Sequence, residues 1–223
     1  MKSIFLFLTI FSILLLFSVL VCNLLKLDFF PSIYLTILGS LAIQLGIFSA
    51  AFYFLWKKDL GTTLNSIGFP GSIKTTLLFT VGGLLILFFV LFILGVIITV
   101  AGFNDQEKVS DKVSSLPVIV LLFAVLVAPI GEELFFRALL VPKLDNFFLK
   151  LIKFPHLGIL SSAVIFSLAH FAYGSVVETL GVFAIGLLFA SIFKASKSIT
   201  PCILIHMIYN GLSILVMKFV LGS

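Results

Sequence analysis

Six polar residues stand where the chain is otherwise apolar, and their types can carry hydrolysis. Pro129-Ile130-Gly131-Glu132-Glu133-Leu134-Phe135-Phe136-Arg137 sets two adjacent carboxylates and an arginine inside the run from Leu116 to Val141, which holds no other charge. A charge near the centre of a bilayer helix costs about 2.5–3.5 kcal/mol on insertion scales, so three within six positions need a reason. On a helix Glu133 and Arg137, four apart, share a face and can pair. Glu132 then points about 100° away and is left to face something else. His170 comes late in a following run, and His206 and Asn210, four apart, share a face early in the last. A carboxylate and an imidazole can share the removal of a proton from water. A second imidazole and an amide can donate to the oxyanion that forms when water attacks a carbonyl. Glu132, His170 and His206 could instead ligate a zinc ion that keeps a water in its open position. Asn210 serves better as a donor to an oxyanion than as a zinc ligand, which favours hydrolysis without a tightly bound metal.

Each residue also has a plainer use. Glu133 and Arg137 can be a structural ion pair, His170 an interface residue, and His206 and Asn210 interhelical hydrogen bonds worth about 0.6 kcal/mol each. Cys202 lies one turn before His206, which permits a Cys–His nucleophile. A small residue packing in a helix is the favoured reading of that thiol. Glu178 and Gln44 are expected at an interface and in the bundle, with no role. HExxH, GxSxG and GxGxxG do not occur.

Taken in order, Glu132-Glu133-x-x-x-Arg137, Phe166-x-x-x-His170 and His206-x-x-x-Asn210 resemble the CPBP family of CAAX proteases and bacteriocin-processing enzymes. That family, also called Abi, includes the type II CAAX prenyl endopeptidases. Phe183-x-x-Gly186 resembles its weaker glycine-bearing segment, with Ala190 where a second small residue is expected; close helix packing is the plainer use of both. The resemblance covers about the last hundred residues. It implies an intramembrane peptidase in which Glu132 and His170 activate water, His206 and Asn210 hold the oxyanion, and Glu133 and Arg137 support them.

The elements that must position these residues are membrane helices. Of 223 residues, 61% are hydrophobic and only 10% charged, with a mean hydropathy of +1.34; soluble domains carry about 25% charged residues. The apolar runs are Ile4–Leu25, Ile33–Trp56, Thr75–Gly102, Leu116–Val141, Leu157–Ala172, Val176–Phe193 and Thr200–Leu221. Most approach the ~20 residues a bilayer requires. The expected fold is therefore an all-α, polytopic integral membrane bundle of about seven transmembrane helices. Residues 1–115 would hold helices without signature and 116–223 the CPBP-like core, in one membrane domain. Asn104–Ser115 reads as a polar loop. Leu144–Phe154, with lysines among Phe147, Phe148, Leu149, Leu151 and Ile152, reads as a short amphipathic interfacial segment.

Lys2, Lys57, Lys58, Lys74, Lys143, Lys150, Lys153, Lys194 and Lys197 fall on one side of alternating helices, against Lys26, Lys108, Lys112 and Lys218 on the other. The positive-inside rule puts the N-terminus in the cytoplasm, with the plasma membrane as the expected location. The net charge of +5 comes from these loop lysines and is no nucleic-acid signal. The expected partners are the lipid bilayer and a peptide or lipidated protein substrate within it. Two other functions compete: a proton-coupled transporter, since buried Glu and His also mark ion pathways, and a catalytically idle immunity or scaffold protein. Paired broken helices or repeats, usual in transporters, do not occur in the sequence.

Overall fold

A computed structural model describes residues 1–24, 32–154, 156–171 and 174–218 of the chain. Lys26, Ala172 and residues 219–223 lie outside the described residues. The fold is an all-helical membrane bundle, with no strand among the described residues. The helices are α1 Lys2–Leu24, α2 Ser32–Leu55, α3 Leu60–Ser66, α4 Ile73–Val100, α5 Glu107–Ser115, α6 Val118–Leu126, α7 Ala128–Glu133, α8 Val141–Ile152, α9 Leu157–His170, α10 Val176–Ser196 and α11 Thr200–Val216, with a π-helical turn at Leu134–Leu140 between α7 and α8. Among the described residues five spans are long and apolar enough to cross a membrane: Lys2–Cys22, Ile37–Leu55, Ile73–Val100, Val118–Ile152 and Val176–Ser196. α9 and α11, of 14 and 17 residues, fall short of that length.

Two prolines shape the long fourth span. Pro129 has no N–H, and its ring crowds the carbonyl one turn back, so α6 ends at Leu126 and α7 restarts at Ala128. Pro142 does the same further on, and the helix before it widens. There the Val141 N–H reaches back five residues to the Phe136 carbonyl, which also accepts from the Ser162 hydroxyl at 2.9 Å. Turns of this kind recur inside α-helices at functional sites. The expected interfacial segment at Leu144–Phe154 is α8, a direct continuation of this span rather than a separate piece.

Asn104–Ser115, expected as a loop, contains the helix α5. Val109 and Val113, four apart, give it one apolar face, and both are buried against Leu121 beside Leu116, Ile214 and Met217. Asp105 fixes the start of α10 by accepting from the Ser175 hydroxyl at 2.7 Å and the Val176 N–H at 2.7 Å. The Val176 N–H, then the Ser175 hydroxyl, hold the Asp105 carboxyl below its usual range. This clamp is therefore complete at neutral pH and lost only as pH falls through that lowered value.

The main core joins α4, the π turn, α9, α10 and α11 through Leu87, Phe136, Phe166, Phe189, Ile192 and Ile205. α10 lies close along α9. A Cβ on Gly186 would come within 3.0 Å of Ala163 Cα and 3.1 Å of Ala163 Cβ, and Ala190 is fully buried. These two residues pack helices, as their small size suggests. At the other end of α10, Gly68 has φ +70° and a Cβ there would strike the Lys197 carbonyl. The Ser198 hydroxyl bonds the Gly68 carbonyl at 2.6 Å and Thr200 Oγ1 the Pro70 carbonyl at 2.6 Å, which docks the α3–α4 loop on the α10–α11 turn.

Candidate active site

Glu132 and Glu133 close α7, Arg137 sits in the π turn and His206 faces them from α11. All four are buried; Glu133 is 0% exposed and Arg137 1%. The two carboxylates diverge along the helix, yet one imidazole meets both. His206 Nδ1 lies 2.8 Å from Glu133 Oε1, and its Nε2 lies 3.7 Å from Glu132 Oε2. A carboxylate only accepts, so Nδ1 carries the hydrogen and donates to Glu133. The 3.7 Å gap on the other side is too long for a direct hydrogen bond and leaves Nε2 unspent.

Arg137 Nε stands 3.1 Å from Glu133 Oε2 without an aligned hydrogen bond. Its guanidinium lies instead over the Phe166 ring at 4.2 Å, with Phe189 at 5.2 Å and Phe136 at 5.9 Å. The expected pair is therefore an ion pair whose cation is held mainly by aromatic faces. With neutral His206, two carboxylates and one guanidinium leave one negative charge; a proton on His206 brings the cluster to zero.

His170 ends α9. Its Nδ1 is 2.9 Å from the Phe166 carbonyl, an acceptor only, so Nδ1 carries the hydrogen and Nε2 is the basic nitrogen. His170, His206 and Asn210 line one cavity of about 120 Å³, together with Glu178 and Tyr209 and an apolar wall that includes Val109, Val113 and Leu121. Space for a water-sized molecule needs about 10–15 Å³, so several fit. Asn210 Nδ2 donates to the Ala124 carbonyl at 3.0 Å, near the break that Pro129 makes. An amide nitrogen has two hydrogens, so one remains for the cavity.

The structure thus brings Glu132, Glu133, Arg137 and His206 into one cluster and sets His170 and Asn210 on the wall of the cavity that His206 shares. Glu132 takes His206 as its imidazole neighbour. The His206 ring lies between the two carboxylates and also borders the cavity that His170 and Asn210 line. Among the described residues no group of three His, Cys, Asp or Glu side chains is placed to hold a metal ion, so Glu132, His170 and His206 are not gathered as a ligand set. Cys202 is fully buried with its thiol 3.4 Å from the Phe189 carbonyl, and the His206 Nδ1 is committed to Glu133; no Cys–His pair forms.

Two polar residues expected to have no role belong here. Gln44 of α2 donates from Nε2 to Glu132 Oε1 at 2.5 Å. Glu178 lies on the cavity wall within electrostatic reach of His170 and Tyr209. The signal for each was its polarity in an apolar run, but neither stands at helical spacing from another site residue.

No curated protein and no solved structure matches the chain. Residues 114–212, from the end of α5 into α11, match the family model described as Type II CAAX prenyl endopeptidase Rce1-like. That stretch contains Glu132, Glu133, Arg137, His170, His206 and Asn210 but not Gln44. Over residues 114–212 the chain is therefore similar to the type II CAAX prenyl endopeptidases.

Proposed function

We propose that this protein is an intramembrane endopeptidase that hydrolyses peptide bonds of membrane-associated or lipidated substrates. The observation that carries this reading is the buried His206 held between two carboxylates, beside a cavity that His170 and Asn210 also line. Water held between Glu132 and the basic Nε2 of His170 loses its proton to that pair as its oxygen bonds to the substrate carbonyl carbon. The oxyanion is held by the second Asn210 N–H and by His206, whose Nε2 carries a hydrogen when both its nitrogens are protonated. Breaking the C–N bond then returns the proton to the leaving amine. Donors fixed before substrate arrives cost no reorganisation in the transition state, and a buried site strengthens them.

The expected test compares membrane-protein termini by mass spectrometry in cells carrying the wild type or Glu132→Ala. A set of termini present only with the wild type is the predicted outcome. An identical peptide inventory in both would overturn the protease and favour the idle immunity or scaffold protein.

The orientation is part of the proposal: a plasma-membrane protein with a cytoplasmic N-terminus. Contacts group the basic residues at one end. Phe5 of α1 packs 5.9 Å from Trp56 of α2, Lys143 lies over Phe54, and Lys194 pairs with Asp145 at 2.6 Å. Lys108 and Lys218 bond backbone carbonyls at the opposite end. That asymmetry favours the lysine-rich end in the cytoplasm. Cysteines placed at the exposed positions Lys58 and Asp111 test it: impermeant thiol reagent added outside intact cells is expected to label Asp111→Cys and spare Lys58→Cys. The reverse pattern inverts the topology.

A further inference from the structure

The resemblance to endopeptidases begins at residue 114, yet a residue 88 positions before Glu132 bonds it directly. Glu132 follows Gly131, which presents no side chain, and α2 closes over that gap. A Cβ on Gly131 would lie 3.5 Å from Phe48 Cβ and 3.6 Å from Gln44 Oε1, and Phe48 and Gln44 are one turn apart on α2. This close approach brings the Gln44 amide to Glu132 Oε1 at 2.5 Å. Glu132 Oε2 is left facing His206. A carboxylate free to turn about its last bond would present either oxygen to water. With Oε1 tied, only Oε2 is presented.

We propose that Gln44 is a positioning residue: it holds the Glu132 carboxylate in the one orientation that addresses water beside His206. This rests on the hydrolytic reading above and adds to it that the first half of the chain completes the site. Magnitudes separate this role from helix packing. A single interhelical hydrogen bond in a membrane is weak on average, so losing one barely moves stability. A catalytic group displaced by about 1 Å can cost 10²-fold in rate.

The test uses the purified full-length chain in lipid nanodiscs with a fluorogenic membrane peptide it cleaves. Gln44→Met keeps the side-chain length and removes both polar atoms. It is expected to lower kcat about 10- to 100-fold with KM within about twofold and an unchanged melting temperature. Added to Glu132→Gln, the same change should lower the residual rate by less than about twofold, because a residue acting through Glu132 has nothing left to position. Should Gln44→Met fail to insert, Gln44→Asn carries the test: it keeps the amide but falls one methylene short of Oε1, and the same loss in kcat is expected. Wild-type kcat in the inserted Gln44 variant, or a full additional loss in the Glu132→Gln background, overturns the positioning role while leaving the hydrolytic reading intact. Wild-type kcat in Glu132→Gln alone overturns that reading, and this inference with it.

Discussion

Glu132→Gln leaves a protein that inserts and folds but cuts about 10³-fold more slowly, a loss of about 4 kcal/mol in transition-state stabilisation. Glutamine has the same shape and keeps an acceptor for the Gln44 amide, so the packing of α2 on α7 survives. What it lacks is the capacity to accept a proton. His206→Ala is expected to lose at least as much activity and also some stability, because the buried Glu133 Oε1 then loses its hydrogen-bond donor. The two losses should not add, since groups that act as one unit are strongly non-additive. The measurement is kcat/KM on a membrane peptide, with the melting temperature recorded for each variant. Full activity in Glu132→Gln would remove this carboxylate from the chemistry.

Much of the site was legible because a membrane makes charge conspicuous. Three charges in an apolar run, a His–Asn pair one turn apart and a histidine closing a short helix each stood out against leucine and phenylalanine. What stayed hidden has physical reasons. Periodicity on one helix says which residues share a face but not which helix comes to meet it. Gln44 and Glu132 are joined by the packing of α2 over Gly131, which no spacing rule contains. The division of labour around His206 depends on the rotation of α11, whose angular position decides that one ring touches both glutamates. The π turn had a written cause in Pro142, but a proline can end, kink or widen a helix, and no spacing in the sequence says which. α5 is not legible in the sequence, because two valines among charges read as loop until a cavity exists for them to cover.

Arg137→Ala should unfold more protein than any other single change at the site. The guanidinium is 1% exposed, and its removal strands Glu133, which is fully buried, with only the His206 N–H for support. Stranding one member of a buried pair costs roughly 3–5 kcal/mol. The stacking on Phe166, Phe189 and Phe136 is lost as well, worth about 2 kcal/mol when desolvated. Lysine is no substitute, because a point charge has no planar face to lay on Phe166. Removing both charges should cost far less than removing one: in Glu133→Gln/Arg137→Met the amide oxygen still accepts from His206, and methionine fills the aromatic cage. The expected order of melting temperature in nanodiscs is wild type, then the double variant, then Arg137→Ala well below both. A double variant as unstable as Arg137→Ala would mean that the cage, not the ion pair, carries the stability. Normal stability with abolished cleavage in Arg137→Ala would move the guanidinium from support into the reaction itself.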